Sequence, residues 1–382
     1  MRAEFAALET PSLLLDSACL DRNIERLRSG LERLRVPLRP HVKTSKCIEV
    51  VRRAITGQPG GITASTLGEA RWFFERGIAD IVYAVGIVPQ RLPAAAALIA
   101  RGCRLKLILD APETARMVAE AGIRLSVRFP VLLELDSDGQ RAGLEPRSAA
   151  LVECARIISD NAGSELAGVL THAGASYDSG SVVEIRAMAA KERAAAAESA
   201  VLLRETGFPC PVVSVGSTPT ATFAKDMSGV TEVRAGVYMF NDLVMAALGV
   251  CAVDDIALSV LTTVIGHQRR KGWILVDAGW MALSRDRGPA SLSMNKGYGV
   301  VCDAKNGTPV GDLIIVEVNQ EHGVIASRDG QFSDIGSIEV GTRLRILPIH
   351  ACATAGMHDS YSILNAEGEI VDTWPRMRGW QV

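Results

Sequence analysis

The sequence predicts an α/β barrel of the (β/α)8 TIM type, followed by an antiparallel β domain. Three observations predict it. Through the first two-thirds of the 382 residues, short apolar β-prone runs alternate with helical runs rich in Ala, Leu, Arg and Glu. About eight such strand–helix units fall within roughly 240 residues, close to the ~250 that a parallel barrel takes. After about residue 245 the helical periodicity fades, and short strands separated by Gly, Asp and Asn turns take over. A doubly wound open sheet is the alternative for the first part. The barrel is expected over 17–245 and the β domain over 246–382 together with 1–16.

The barrel elements follow in order. Leu38–Val42 reads as a strand and Cys47–Ile55 as its helix. Gly61–Ala64 and Leu67–Arg76 are the next pair, then Ile81–Ala84 and Arg91–Arg101. Leu105–Leu109 precedes the helix Ala111–Glu120, and Val131–Leu135 precedes Ser148–Asn161. Leu166–Thr171 leads into the long helix Val182–Thr206; Val212–Val215 and Val230–Arg234 close the series. Beyond it, Ala257–Gly266, Trp273–Asp277, Leu313–Val318, Gly323–Ser327 and Arg343–Leu347 read as strands. Tyr361–Leu364 and Glu369–Thr373 flank a hairpin turn at Asn365-Ala-Glu-Gly368.

Composition narrows the function. Hydrophobic residues make up 48% and charged residues 22%, which suits a large core and excludes disorder as the main state. Lys and Arg total 41 against 43 Asp and Glu, a net charge of −2. Such a chain has no bulk attraction to nucleic acid or to an anionic membrane, so any bound anion needs a local site. No run approaches the ~20 apolar residues that span a bilayer. The N-terminus lacks the pattern of a signal peptide, and a cytoplasmic location is expected. The eight cysteines stand singly, without a CxxC, and are expected as free, mostly buried thiols.

A parallel barrel places its chemistry at the carboxyl ends of its strands. That criterion selects His41, Lys43, Ser65, Arg141, His172, Gly216–Thr218 and Arg234. A lysine facing the pocket loses hydration, which lowers its pKa and frees the amine to form a Schiff base. The plain alternative for Lys43 is an exposed loop lysine. Val215-Gly-Ser-Thr-Pro-Thr220 can present N–H and O–H groups to a phosphate, or serve only as a capped strand–helix turn. Gly236 permits close backbone approach, and Arg234 is expected to point into the pocket. In the β domain, His350-Ala-Cys352 places an imidazole and a thiolate at i and i+2, on one face if the segment is a strand. That pair suits Zn²⁺, although two ligands alone do not make a site.

These segments together resemble the alanine-racemase-like (fold type III) pyridoxal-phosphate enzymes. The resemblance is closer to their D-threonine aldolase and D-serine dehydratase branch, which includes D-threo-3-hydroxyaspartate dehydratases. It runs from about Thr10 to Trp380. It is carried by Leu38–Lys46, Ser65-Thr-Leu-Gly-Glu-Ala70, Asp136–Gly143, Thr171–Tyr177, Val215–Thr220, Asn319-Gln-Glu-His-Gly323 and Pro348–Thr354.

The resemblance implies pyridoxal 5′-phosphate held by Lys43 as a Schiff base. It implies a phosphate site of Gly216, Ser217, Thr218, Gly236 and Val237, with Arg234 against the pyridine nitrogen. Arg141 and Tyr177 would touch the ring oxygen or the substrate, and His41 and His172 would line the pocket. A structural role for His172 remains equally open. His350 and Cys352 would hold a divalent metal, Zn²⁺, Mn²⁺ or Mg²⁺. His322 is a third candidate near the metal. His358-Asp359 is either a supporting pair or a solvated turn, and His267 is expected to be structural.

The resemblance further implies a homodimeric lyase acting on small D-β-hydroxy amino acids. An aldolase releasing glycine and acetaldehyde from D-threonine is the first reading, because His358 could add a polar group at the β-carbon. A D-threo-3-hydroxyaspartate or D-serine dehydratase is the alternative. Side chains around the substrate, such as Tyr177, Asn241, Asp242, His358 and Asp359, would choose between them. A non-catalytic pyridoxal-phosphate-binding protein and an amino-acid racemase are further alternatives. The β domain and the HxC pair argue against the first of these. The second would need a tyrosine base from the β domain, for which no matching motif is present.

Overall fold

The computed structural model describes residues 7–289, 295–329 and 337–380. The chain separates into two compact units. One is Arg26–Gly236; the other combines the segment ending at Glu25 with Val237–Arg378. Strands are numbered in chain order, and β1 (Ser12–Asp16) belongs to the second unit.

The first unit holds β2 (Leu38–Pro40), β3 (Ile62–Ala64), β4 (Asp80–Tyr83), β5 (Arg104–Leu109), β6 (Phe129–Leu135), β7 (Ser164–Thr171), β8 (Val212–Val215) and β9 (Glu232–Ala235). They pair in parallel in the order β2-β9-β8-β7-β6-β5-β4-β3. The two end strands meet through a parallel bridge between His41 and Thr63, so the sheet nearly closes on itself. A helix follows each of β2 to β8, as a parallel barrel requires. The open-sheet alternative falls away with the His41–Thr63 bridge.

Residues two apart along a strand share a face. Val82, Ile108, Leu132 and Leu170 form one buried cluster across four neighbouring strands and fill the barrel interior. On the same alternation, Arg39, Asp80, Lys106 and Glu232 lie toward the amino ends. There Arg39 Nε donates to Glu232 Oε2 at 2.7 Å, and its Nη1 donates to Asp80 Oδ1 at 3.1 Å. Lys106 Nζ reaches the same Asp80 oxygen at 2.8 Å. Burial alone would raise the Asp80 pKa, but Arg39 and Lys106 outweigh it and hold the carboxyl below its ordinary value. His41, Glu134, His172, Gly216, Arg234 and Gly236 fall toward the opposite, carboxyl end.

The second unit contains β10 (Leu258–Gln268), β11 (Trp273–Val276), β12 (Gly299–Asp303), β13 (Pro309–Val318), β14 (Gly323–Ser327), β15 (Arg343–Pro348), β16 (Ser360–Leu364) and β17 (Ile370–Pro375). β10 pairs antiparallel with both β15 and β11, which closes β10, β11, β14, β13, β12 and β15 into an antiparallel barrel. β1, β16 and β17 extend the sheet from β10. Short helical turns interrupt the strands at Leu243–Ala247, Trp280–Leu283 and Ala351–Gly356. The last of these changes the reading of the HxC segment.

Candidate active site

The lysine segment is a tight turn clamped across the seam of the parallel barrel. The His41 amide donates to Ala235 O at 2.8 Å, and the Val42 amide to Thr63 O at 2.9 Å. Val42, Thr44 and Ser45 are buried, which turns the intervening Lys43 outward. Lys43 is therefore exposed, and the burial expected around it is not found. Lys46, the other lysine of the segment, forms an ion pair at 3.0 Å with Glu69. Glu69 is fully buried and also accepts the Ser65 amide at 2.7 Å. Lys46 is thus committed to structure, and Lys43 is the amine of this motif that faces outward.

The two histidines at the barrel mouth are held neutral. His172 Nδ1 lies 2.8 Å from the Gly216 carbonyl, which can only accept, so Nδ1 carries the hydrogen and Nε2 is the basic nitrogen. Burial pushes His172 down to about 4, and the nearby cations Lys43, Arg234 and Arg141 push the same way; the Gly216 carbonyl opposes them. Burial also holds His41 well below its ordinary value, aided by Lys43, Arg234 and His172. Arg234 is buried, with Nη1 donating to Ser214 Oγ at 2.6 Å and Nη2 to Thr171 O at 2.6 Å. Arg141 is exposed, and its guanidinium lies 3.9 Å from Glu134. The structure thus brings His41, His172 and Arg234 together with the backbone of Lys43.

The loop after β8 is more committed than its composition suggests. The Gly216 amide donates to Glu192 Oε1 at 2.9 Å, while its carbonyl faces His172. Its φ is +131°, and a Cβ there would lie 2.2 Å from Arg234 O, so only glycine fits. The Ser217 hydroxyl caps the following turn by accepting the Thr220 amide at 3.2 Å, and it lies 2.7 Å from Ser176 Oγ. Gly216 and Ser217, expected as phosphate donors, therefore already have partners.

Thr218 is different. Its amide donates to the Tyr177 hydroxyl at 3.4 Å, and its buried Oγ1 has no partner among the described residues. At Gly236 a Cβ would come within 3.1 Å of His41 O, and Val237 follows as the start of a 3-10 turn. An orphaned buried hydroxyl beside glycine-lined backbone at the strand ends fits a phosphate group.

Sequence reasoning missed Glu192. It sits on the long helix Val182–Glu205, with Oε1 also accepting the Ala173 amide at 2.9 Å and Oε2 accepting the Thr220 hydroxyl at 2.7 Å. The signal is a carboxylate within a helix stripe whose other buried residues are apolar except for Ser199.

In the other unit, His350 and Cys352 do not share a strand. β15 ends at Pro348; His350 is the extended N-cap of the helix Ala351–Gly356, and Cys352 lies in its first turn. The buried Asp242 fixes this change of direction by accepting the Ala351 amide and the Met245 amide, each at 2.9 Å. The two side chains are still close enough to interact, since Cys352 is among the groups that raise the His350 pKa.

Asp286 Oδ2 lies 2.6 Å from His350 Nδ1, and the Gly288 amide steadies Asp286 at 2.8 Å. Burial alone would lower the His350 pKa; Asp286 and Cys352 outweigh it and raise it to about 11. A carboxylate on Nδ1 orients the ring so that Nε2 can face a metal. Imidazole and thiolate form a donor set suited to Zn²⁺. Among the described residues there is no cluster of three such ligands.

The remaining candidates hold loops. His358 Nε2 lies 2.9 Å from Ala282 O, and His267 Nε2 lies 2.8 Å from Ile338 O. His322 is exposed in the turn before β14. Asp359 pairs with Arg378 at 2.5 Å, and the Asn241 amide donates to Asp255 O at 3.3 Å. His358 is thus engaged by a backbone carbonyl, which removes the reason for favouring the aldolase. None of the eight cysteines forms a disulfide among the described residues. Burial pushes Cys47, Cys154 and Cys302 up to about 12, and Cys103 and Cys210 up to about 11. Cys352 is only half-buried.

Comparison with known proteins agrees with this architecture. The family model for the alanine racemase N-terminal domain matches residues 15–243, and a serine dehydratase domain model matches 257–364. The chain belongs to the alanine racemase-like family of pyridoxal-phosphate enzymes that carry a serine dehydratase domain. Within it, the chain is an enzyme of the D-hydroxy amino acid lyase group. The D-threo-3-hydroxyaspartate dehydratase of Delftia sp. (strain HT23) is 48% identical over 382 residues, the full length of both proteins. Its solved structure superposes with a TM-score of 0.96, covering 99% of this chain and 100% of that one. The D-serine dehydratase of Dictyostelium discoideum is 28% identical, covering 98% of each protein. The D-threonine aldolase of an Arthrobacter species is 29% identical over 97% of this chain and 92% of its own. No helix among the described residues is long and apolar enough to cross a membrane.

Proposed function

We propose that this chain is a D-β-hydroxy amino acid dehydratase, with D-threo-3-hydroxyaspartate as the first substrate to test. The observation that carries this reading is the 48% identity along the whole chain to a dehydratase of that substrate, against 29% to a D-threonine aldolase. The aldolase remains the rival reading, without a residue in the structure that favours it.

Pyridoxal 5′-phosphate, when bound, supplies an electron sink for charge developing at the substrate Cα. Lys43 would be the amine that holds it, and its Nζ would be the base for the Cα proton. Thr218, with the backbone at Gly236 and Val237, binds the phosphate. Arg234 would lie against the ring nitrogen; a guanidinium can only donate there, so it would leave that nitrogen unprotonated. His41, His172, Arg141 and Tyr177 line the substrate side, where the neutral His172 offers Nε2 as an acceptor.

His350 and Cys352 hold a divalent metal, with Asp286 fixing the imidazole. Such an ion is a Lewis acid toward a hydroxyl oxygen. A solved D-threo-3-hydroxyaspartate dehydratase 48% identical to this chain supports this, since it is a cysteine-to-alanine mutant in the metal-free form. The same reading proposes a homodimer, which sedimentation would check.

Product analysis tests the reaction. Incubation with D-threo-3-hydroxyaspartate should give oxaloacetate and ammonia, and D-threonine, if turned over, should give 2-oxobutanoate and ammonia. Glycine with glyoxylate from the first, or glycine with acetaldehyde from the second, would establish the aldolase instead.

A further inference from the structure

Glu192 is 1% exposed and lies on the buried stripe of helix Val182–Glu205, between Ile185 and Ala189 on one side and Ala196, Ala200 and Leu203 on the other. An ionisable group on such a stripe is costly unless its oxygens are paired. Here both are. The Ala173 amide, the Gly216 amide and the Thr220 hydroxyl all donate to it. The two amides share Oε1 and the Thr220 hydroxyl meets Oε2, while burial raises the Glu192 pKa above its ordinary value.

The donors come from two loops. Ala173 follows His172 at the end of β7, whereas Gly216 and Thr220 belong to the loop after β8. His172 to Gly216 O and Ser176 to Ser217 join the same loops, at 2.8 and 2.7 Å. Glu192 is the member of this set that reaches both loops at once, from the helix Val182–Glu205. It also takes up the Gly216 amide and, with Ser217, the Thr220 hydroxyl. The Thr218 hydroxyl is thereby left as the uncommitted one of the loop among the described residues.

We propose that Glu192 is a positioning residue that shapes the seat for the cofactor phosphate by holding the loops after β7 and β8 in one geometry. The inference rests on the pyridoxal-phosphate reading above. A carboxylate would repel a phosphate, so Glu192 acts through the groups it holds. The phosphate end of the cofactor is therefore the part that senses it.

The test compares binding of pyridoxal 5′-phosphate and of pyridoxal, which lacks the phosphate, by absorbance titration of the full chain. Glu192→Ala should weaken pyridoxal 5′-phosphate by about tenfold or more and leave pyridoxal within about twofold. Glu192→Gln should recover part of the loss, because its carbonyl still accepts both amides. Thr220→Val removes one donor without emptying the helix stripe; it reports the same selective loss if Glu192→Ala does not fold. Equal loss of both ligands, or wild-type affinity for the phosphate form in all folded variants, overturns the inference. Wild-type protein that binds neither ligand overturns the underlying reading as well.

Discussion

His172 and His41 lie neutral at the carboxyl end of the parallel barrel because burial, helped by Lys43 and Arg234, disfavours the imidazolium. Both have folded-state pKa values below the ordinary 6.5. As pH falls through that value the unfolded chain takes up the protons first, so stability is fully present above it and is lost below. For His172 the loss is complete only below about 4. It amounts to about 3 kcal/mol at most. The urea midpoint of the wild-type protein should therefore fall between pH 7 and pH 4, and that of His172→Gln should fall less. Parallel pH profiles would show that His172 is not a source of the loss.

The candidate residues legible in the sequence are those that end apolar runs and that the structure places at the carboxyl end of the parallel barrel: His41, Lys43, His172, Gly216 and Arg234. Position in a barrel strand suffices to find them. Asp286 and Glu192 are not found that way, because their partners lie 64 residues from Asp286 and between 19 and 28 residues from Glu192.

At the scale of elements, the period of two or of 3.6 marks the long helices and the buried strands, and most of them lie within a few residues of their expected limits. Elements shorter than two helical turns carry no such period. That is why Ala351–Gly356 reads as a continuation of β15 until Asp242 is seen to pin its first turn. The helix Ser17–Arg33 does carry its period, at Leu20, Ile24, Leu27 and Leu31, all buried.

Close crossings of backbone are invisible to periodicity. The helix Pro112–Leu125 passes the turn before β7 so closely that a Cβ on Gly163 would lie 2.2 Å from Ala119 O and 2.6 Å from Ile123 N. These are backbone atoms that cannot rotate away, so Gly163→Ala should destabilise by about 1–3 kcal/mol. Gly30, inside the helix Ser17–Arg33, has only the tip of Arg33 nearby, at 3.9 Å. Gly30→Ala should stabilise by about 0.5–1 kcal/mol. Urea unfolding at unchanged m-value measures both, and shifts of the same sign would refute the packing argument.

At the scale of the whole molecule, the chemistry divides along the chain as the family models do. The matched alanine racemase region, 15–243, contains the lysine turn, His41, His172, Arg234 and the loop after β8. The serine dehydratase region, 257–364, contains Asp286, His350 and Cys352. A net charge of −2 offers neither an anionic cofactor nor a dication any general attraction, so each would depend on its own local donors. Holding the cofactor and holding the metal should therefore be separable. A chelator should abolish turnover of D-threo-3-hydroxyaspartate while leaving the visible cofactor absorbance and the urea midpoint unchanged. His350→Ala and Cys352→Ala should each reproduce that pattern in the untreated enzyme, whereas Lys43→Ala should remove the absorbance and the turnover together. Turnover that survives chelation would reduce His350, Asp286 and Cys352 to a structural cluster. Loss of the cofactor band on chelation would show that the two sites are not independent.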